Sequence, residues 1–529
     1  MSATYEDRPY QSAYFNSDWA FARGFYLAWK MRLGKTYAET RATVRRQREA
    51  GVRRTLVVGP QKPLLLTWVK ELTEAGFSRP SAGPGPEGYL VPLAEGSMEE
   101  RAAVIERLIA GDAGDVPVVL LVNFEALDDY YEKIESGPTG YRFRKKTFTL
   151  LRDARIARAR SSSKTLGQLI QDWKPDNVII DEAHLISTPG ARRSWRLRHI
   201  CSDARFVRLL SGTPDPKRAP SFYAQFVCLD PKIFGTNKTR FIERYFETNR
   251  FNPGRVEGLK PELSAEFWKK VYSVMSVVVT EDHFGPQHPN IVTRDLEWDA
   301  RARSIYDRLL SDSVLSGWVP GQEEWDETLV VDGTHKLTKG LRLRQLCSGF
   351  LQDELSTDVR WIHHTKEQAI LADLGELLGN GEYVVISYTF TEAGVKLVEE
   401  IGKTFGRDVV ALCNGHTRNV TEILSLFDAR SEVSTNLRVL VLQEKVGSVG
   451  ISLARARHLF FHSWSMDSAI HDQMLHRIWE PSRASNITYY QMANSADGFA
   501  RQIVQNKLDA SVMAHRVGLH AAMTGQKIT

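Results

Sequence analysis

Short apolar runs rich in β-branched residues recur along the first third of the chain, and each is closed by a polar or glycine-containing turn. Thr55-Leu56-Val57-Val58 stops at Gly59-Pro60, a pair that breaks extended structure. Val116 to Val122 leads into Asn123-Phe124-Glu125, Val178-Ile179-Ile180 into Asp181-Glu182-Ala183-His184, and Phe206 to Leu210 into Ser211-Gly212-Thr213-Pro214. Unbroken apolar runs of this length are the mark of strands buried on both faces of a parallel sheet. Helical stretches such as Leu66 to Leu72 lie between them, and strands alternating with helices predict an α/β fold. The last third repeats the pattern: strands over Glu382 to Tyr388, Leu437 to Leu442 and His458 to Trp464, and a helix over Thr391 to Ile401. Between the two, Phe222 to about Leu351 lacks strand alternation and reads as mostly helical, with apolar residues at helical spacing in Phe241–Phe246 and Ala302–Leu310. The expected architecture is therefore two parallel-sheet α/β lobes, residues 1–225 and 356–529, with a helical insert over 226–355 between them.

Composition sharpens this picture only a little. A chain of 529 residues, 42% hydrophobic and 25% charged, exceeds one ordinary core and suits two or three domains. A net charge of +5 permits a polyanionic partner without demanding one. The four cysteines, Cys201, Cys228, Cys347 and Cys413, are far apart and form no CxxC pair, which argues against a zinc or disulfide scaffold and for a reducing compartment. No apolar run reaches the length of a membrane span, and the polar start is not a signal peptide. The expected location is cytoplasmic, with no membrane partner and a monomeric chain.

The chemistry gathers at the ends of the runs. Ligands of open parallel sheets sit beyond the carboxyl ends of the strands, so Asp181 and Glu182 are placed to serve such a site. Asp181 suits Mg²⁺ and Glu182 an attacking water. Gly34-Lys35-Thr36 is the core of a phosphate-binding loop: backbone amides and a helix N-terminus cradle phosphates, Lys35 reaches them and Thr36 holds Mg²⁺. Trp29 stands where the full pattern has Gly or Ala. A basic run before the acidic strand carries Arg142, Arg144, Lys145, Lys146, Arg152, Arg155, Arg158, Arg160 and Lys164, interleaved with Tyr141, Phe143 and Phe148. Such a run is either a solvated loop or a track for a nucleic-acid backbone.

The order Arg8-Pro9-Tyr10-Gln11, Leu33-Gly34-Lys35-Thr36, Trp68-x-x-Glu71, Asn123-Phe124-Glu125, Asp181-Glu182-Ala183-His184 and Ser211-Gly212-Thr213-Pro214 resembles superfamily 2 helicases, and among them the Snf2-like DNA translocases. The family has Gly-x-Gly-Lys-Thr, and Arg32 stands at its first glycine. The resemblance implies two RecA-like lobes, ATP and Mg²⁺ as ligands, an adenine contact from Gln11, and coupling of nucleotide state to lobe closure through His184, Ser211 and Thr213. It extends to a Leu-Arg-Leu-Arg-Gln segment in the helix Gly340 to Cys347. There Lys336, Lys339, Arg342 and Arg344 read as a solvated basic face or, less simply, as DNA contacts.

The last third resembles the second lobe of the same family through Gly447-x-x-Gly450-x-x-Leu453 and the strand ending in Trp464. It lacks a phosphate loop, so its expected contribution is positive charge for the transition state, with Gln473 and Arg477 at i, i+4 on one helical face. The family motif is Gln-x-x-x-Arg-x-x-Arg: matched on Gln473, its second arginine falls on Glu480, and slid by three to match His476-Arg477-Ile478, Arg477 is the second arginine and Met474 replaces the first. A carboxylate about 4 Å from a phosphate costs on the order of 4 kcal/mol in a surface-like dielectric. Three arrangements fit: Arg477 as sole finger, Arg483 reaching in from beyond Pro481, or weak turnover.

The expected function is an ATP-dependent DNA translocase or helicase acting on duplex or branched DNA, of the compact prokaryotic or phage type, in replication, recombination or repair. One alternative is a degenerate, weakly hydrolysing ATPase that binds DNA or recruits a partner. Another is an RNA helicase.

Overall fold

The computed structural model describes residues 7–60, 64–93, 97–127, 166–214, 219–249, 252–278, 289–311, 314–316, 330–332, 336–353, 358–417, 419–429, 431, 433–447, 452–479 and 484–506. The chain divides into two compact units, with the change between residues 279 and 280.

The first unit is built on strands β1 (Gly24–Trp29), β2 (Arg54–Gly59), β3 (Phe77–Ser78), β4 (Gly88–Pro92), β5 (Val118–Asn123), β6 (Asn177–Asp181) and β7 (Phe206–Leu210). A hairpin of β8 (Phe246–Asn249) and β9 (Asn252–Leu259) follows, and then β10 (Met275–Val278). Apart from that hairpin, the strands form one eight-stranded sheet in the order β10-β1-β7-β6-β2-β5-β4-β3, and every neighbouring pair is parallel. The apolar runs read from the sequence are these strands. All residues of β1, β5, β6 and β7 are buried, because helices cover both faces and leave no side of the pleat for polar residues. Tyr26, Val58, Leu120, Ile180 and Leu209 lie in one core with Leu197, Ile200, Phe222 and Phe226 from the helices Arg192–Asp203 and Phe222–Leu229.

The second unit begins with β11 (Asn290–Leu296) and two small hairpins, β12 (Val314–Ser316) with β13 (Val330–Asp332) and β14 (Phe350–Gln352) with β15 (Val359–Trp361). Its sheet adds β16 (Val384–Tyr388), β17 (Val410–Cys413), β18 (Val439–Gln443), β19 (His458–Phe461) and β20 (Asn486–Met492), in the order β11-β20-β19-β16-β18-β17. This sheet is also parallel throughout. Its two faces carry separate cores, one around Leu440, Leu442, Leu459 and Met474, the other around Ile386, Leu397, Val441 and Tyr490. No described helix is long and apolar enough to cross a membrane.

The middle segment is helical over Phe222–Leu229, Lys238–Tyr245, Pro261–Tyr272, Ala300–Ser311 and Lys336–Cys347, but the expectation of a region without strands needs correction. Met275–Val278 pairs with β1, Trp29 opposite Val278, and Asn290–Leu296 pairs along its whole length with β20. Both are edge strands. The first is only four residues long, and the second has no buried face, with Ile291 half exposed. Neither periodicity is long enough to separate from helix in the sequence.

Candidate functional site

β1, β7 and β6 are neighbours, so their carboxyl ends lie side by side. The register sets Leu27 opposite Leu210 and Leu210 opposite Asp181. The loop after β1, the Ser211–Pro214 turn after β7 and the acidic turn after β6 therefore converge at one edge of the first unit.

The loop after β1 runs from Lys30 to Gly34, and the helix Lys35–Ala50 begins at its end. Gly34 caps the helix in the left-handed region at φ 76°, and Arg32 occupies that region too, at φ 62°. The loop thus keeps the backbone course that a glycine would take, with an arginine in it. Left-handed backbone costs a residue with a Cβ about 1–2 kcal/mol, and glycine returns about 0.5–1 kcal/mol of that as unfolded-chain entropy. Arg32→Gly is accordingly expected to be more stable than Arg32→Ala by about 1 kcal/mol, read as a difference in urea midpoint between the two variants at equal slope.

Lys35 is buried. Its Nζ donates to the carbonyls of Trp29 at 2.8 Å and Lys30 at 3.3 Å. The short helix Pro9–Phe15 latches the same loop from outside. Tyr10 Oη donates to the Leu33 carbonyl at 2.9 Å, Gln11 Nε2 to that carbonyl at 3.0 Å, and an Arg8 guanidinium nitrogen to the Arg32 carbonyl at 3.4 Å. Gln11 Oε1 accepts from the Arg8 amide at 3.0 Å, so the structure places Gln11 as a fully buried support of the loop after β1. Behind it, Tyr14 Oη donates to Glu39 at 2.6 Å and accepts from Arg208 Nε at 3.2 Å, while Arg46 pairs with Glu39. This buried set ties the latch to the helix of Lys35 and to β7.

At the end of β6, Asp181 is 7% exposed. Its Oδ2 accepts from Trp68 Nε1 at 2.9 Å and its Oδ1 from the Glu182 amide at 3.0 Å. Burial first, and then the Glu182 charge, push the Asp181 carboxyl up to about 6, while the Trp68 bond and the nearby Lys35 ammonium pull it down. A Cβ on Gly59, at the end of neighbouring β2, would lie 3.2 Å from Asp181 Cβ; the strand ends in glycine where the carboxylate needs room. Glu182 sits at φ 52°, a strained turn of the kind that collects at functional sites. His184 Nδ1 lies 3.3 Å from Glu182 Oε2 and 3.1 Å from Ser211 Oγ, which accepts from the Thr213 amide at 3.1 Å. His184, Ser211 and Thr213 are thus joined to Glu182 in one polar chain. Thr213 Oγ1 is buried with no hydrogen-bond partner among the described residues.

This donor set fits Mg²⁺. The ion asks for only one or two carboxylates, the rest of its shell being water and substrate phosphate, and Asp181 is a carboxylate whose charge its surroundings oppose. Because its folded pKa lies above the ordinary value of 3.8, its protonation stabilises the fold. That contribution, about 3 kcal/mol by linkage, is full below about pH 4 and lost as pH rises through about 6. Mg²⁺ held on Asp181 would need the ionised form, so for a hydrolase using this site an acidic limb of kcat/KM is expected near pH 6. Trp68→Phe removes a bond that favours the charged carboxylate and should move this limb to higher pH. A pH–rate profile of both proteins checks the direction.

The sequence offers Trp68 as part of a Trp-x-x-Glu motif but gives no sign that its indole holds Asp181. The roles of Tyr10, Tyr14, Arg46 and Arg208 are likewise unsigned. Thr36, second in its helix, is half-buried beside Lys35.

In the second unit, Gln473 and Arg477 are both buried. The helix Ser468–Leu475 ends before Arg477, so the expected pairing of the two on one helical face is corrected. His476 Nδ1 donates to the Asp472 carbonyl at 2.7 Å and the Arg477 amide to that of Met474 at 3.1 Å, a tightening last turn. The Arg477 carbonyl accepts from the Leu453 amide at 2.9 Å, joining the arginine turn to the end of the Gly-x-x-Gly-x-x-Leu segment. Before it, His471 bridges Glu444 at 3.0 Å and Tyr489 Oη at 2.8 Å.

Arg342 and Arg344 do not form a solvated face. Arg342 is 7% exposed and donates to Gln345 Oε1 at 2.7 Å. Arg344 donates to the Trp464 carbonyl, and burial lowers its pKa. Leu343 and Leu346 of the same helix fill a core with Ile305 and Leu309, which draws the alternate arginines inward. Arg142, Arg144, Lys145, Lys146, Gly450, Glu480 and Arg483 lie outside the described residues.

No family model matches the chain, and no curated protein does. Among solved structures, the chain is similar to the Sulfolobus solfataricus SWI2/SNF2 ATPase core in complex with dsDNA, at 17% identity over 97% of this chain and 95% of that chain, with a TM-score of 0.36.

Proposed function

We propose that this protein is an ATP hydrolase that uses the site of the first unit, with Arg477 of the second, to drive movement on DNA. The observation that carries the hydrolase reading is the convergence of Lys35, Asp181-Glu182 and the His184–Ser211–Thr213 chain at the ends of three adjacent parallel strands. Lys35 leaves the Trp29 and Lys30 carbonyls to meet the β- and γ-phosphates, and the loop amides at the start of its helix complete the cradle. Asp181 and Thr36 would hold Mg²⁺, which when bound would neutralise phosphate charge. Glu182 orients the attacking water and receives its proton; Arg477 neutralises the equatorial oxygens of the transferring group. His184 and Ser211 relay the state of Glu182 to the Thr213 turn. The DNA part rests on the order of motifs resembling Snf2-like translocases, in which closing and opening of two lobes moves the protein along one strand.

A second reading is favoured by Lys35 itself. Its two carbonyl bonds hold the loop closed on its own lysine, which suits a weakly hydrolysing module that binds DNA or recruits a partner. Phosphate release measured with duplex DNA, single strands and RNA tests both. The translocase reading expects the strongest stimulation by duplex or branched DNA, the module none, and an RNA helicase stimulation by RNA.

A further inference from the structure

The helix Arg192–Asp203 follows the acidic turn of the site after the short turn Ala183–Ile186 and a loop, and is strongly basic, with Arg192, Arg193, Arg196, Arg198 and His199 against the single acid Asp203. Ser194, Leu197, Ile200 and Cys201 form its buried side. On the opposite side Trp195 is 53% exposed. The ring is not loose: His199 meets it edge-on with centroids 4.3 Å apart at 67°, and the Arg196 guanidinium stands 5.3 Å from its centroid. His199 binds its proton less readily than usual, through burial first and then through the nearby charges of Arg198 and Arg196.

A large aromatic ring held half in water costs hydrophobic free energy that burial would recover. An indole with a guanidinium at its ring gains most from a flat, electron-rich ring with a phosphate beside it, as in single-strand binding proteins. An acidic protein surface would answer the charge but not the exposed flat ring. Paired bases are already stacked on both faces and cost a few kcal/mol to unstack. We propose that Trp195, with Arg192 and Arg196, is a platform that stacks an unpaired base of single-stranded DNA and holds its flanking phosphates. This rests on the DNA-dependent reading above and adds to it a contact with an unpaired strand, at a residue 13 positions along the chain from Glu182 and 11 from His184.

The test is fluorescence anisotropy of the full chain with a labelled thymidine oligonucleotide of about 16 nucleotides and a duplex of equal length, from about 50 to about 200 mM salt. Trp195→Ala is expected to weaken single-strand binding by about 5- to 150-fold and duplex binding far less. Trp195→Phe, which keeps a ring, should recover most of the loss. Arg192→Ala with Arg196→Ala should lower the single-strand salt slope by about 1.4. An unchanged urea midpoint shows that the surface changes leave the fold intact. Single-strand affinity equal to wild type in Trp195→Ala, or an equal loss on both DNAs, would overturn the platform. If the wild-type chain meanwhile shows DNA-stimulated phosphate release, only the platform falls; if it neither hydrolyses ATP nor binds DNA, both readings fall.

Discussion

Replacing Arg477 by alanine is expected to lower the maximal rate of ATP hydrolysis by about 10³- to 10⁵-fold, the range for an arginine that meets the transferring phosphoryl group in P-loop enzymes. The residue is buried and its backbone is held in place. Its carbonyl accepts from Leu453 and its amide donates to Met474, while the neighbouring His476 ring closes on Asp472. Arg477→Lys should rescue poorly, since an ammonium lacks the planar fork that matches phosphate oxygens. Steady-state phosphate release at saturating ATP reads the effect. A loss below about tenfold would move the role elsewhere, with Arg483 the first candidate. Of the two arginines in the motif that this segment resembles, the sequence keeps only Arg477, which is therefore expected to carry the charge alone.

Glu182→Gln is expected to lower the same rate by about 10²- to 10⁴-fold, the usual contribution of a positioned general base, while ATP affinity stays within a small factor. Glutamine keeps the shape of the side chain and its reach toward His184 Nδ1, now 3.3 Å from Glu182 Oε2, but cannot take a proton from water. The substitution has a second, independent signature. The Glu182 charge is one of the causes that raise the Asp181 carboxyl to about 6; without it, the pH midpoint of nucleotide–metal binding should fall. Tight binding with slow turnover and a lower midpoint would identify Glu182 as both base and neighbour. Unaltered turnover would exclude it as the base.

What the sequence reveals and what it hides follow from the range of the forces involved. The central strands are legible because burial on both faces demands unbroken apolar runs, as in Val178-Ile179-Ile180 and Phe206–Leu210, and the polar residues ending them are the site itself. Two edge strands are not legible: Met275–Val278 is too short and Asn290–Leu296 is paired but mostly exposed. The indole of Trp68 on Asp181 joins residues 113 positions apart, and nothing local announces it. The Arg8–Tyr10–Gln11 latch is hidden for the same reason. Its residues act on backbone carbonyls, which carry no sequence signal. Arg342 and Arg344 misled because basic residues in a helix usually face water, whereas here Leu343 and Leu346 set the helix into a core and the arginines bond inside it.

Phosphate release by the purified chain with and without duplex DNA, measured side by side for the wild type and Lys35→Ala, tests the central claim most directly. Hydrolysis stimulated by DNA in the wild type, and reduced at least about 10²-fold by loss of the ammonium that meets the phosphates, is the result this account predicts. Lys35→Ala hydrolysing ATP as fast as the wild type would contradict it.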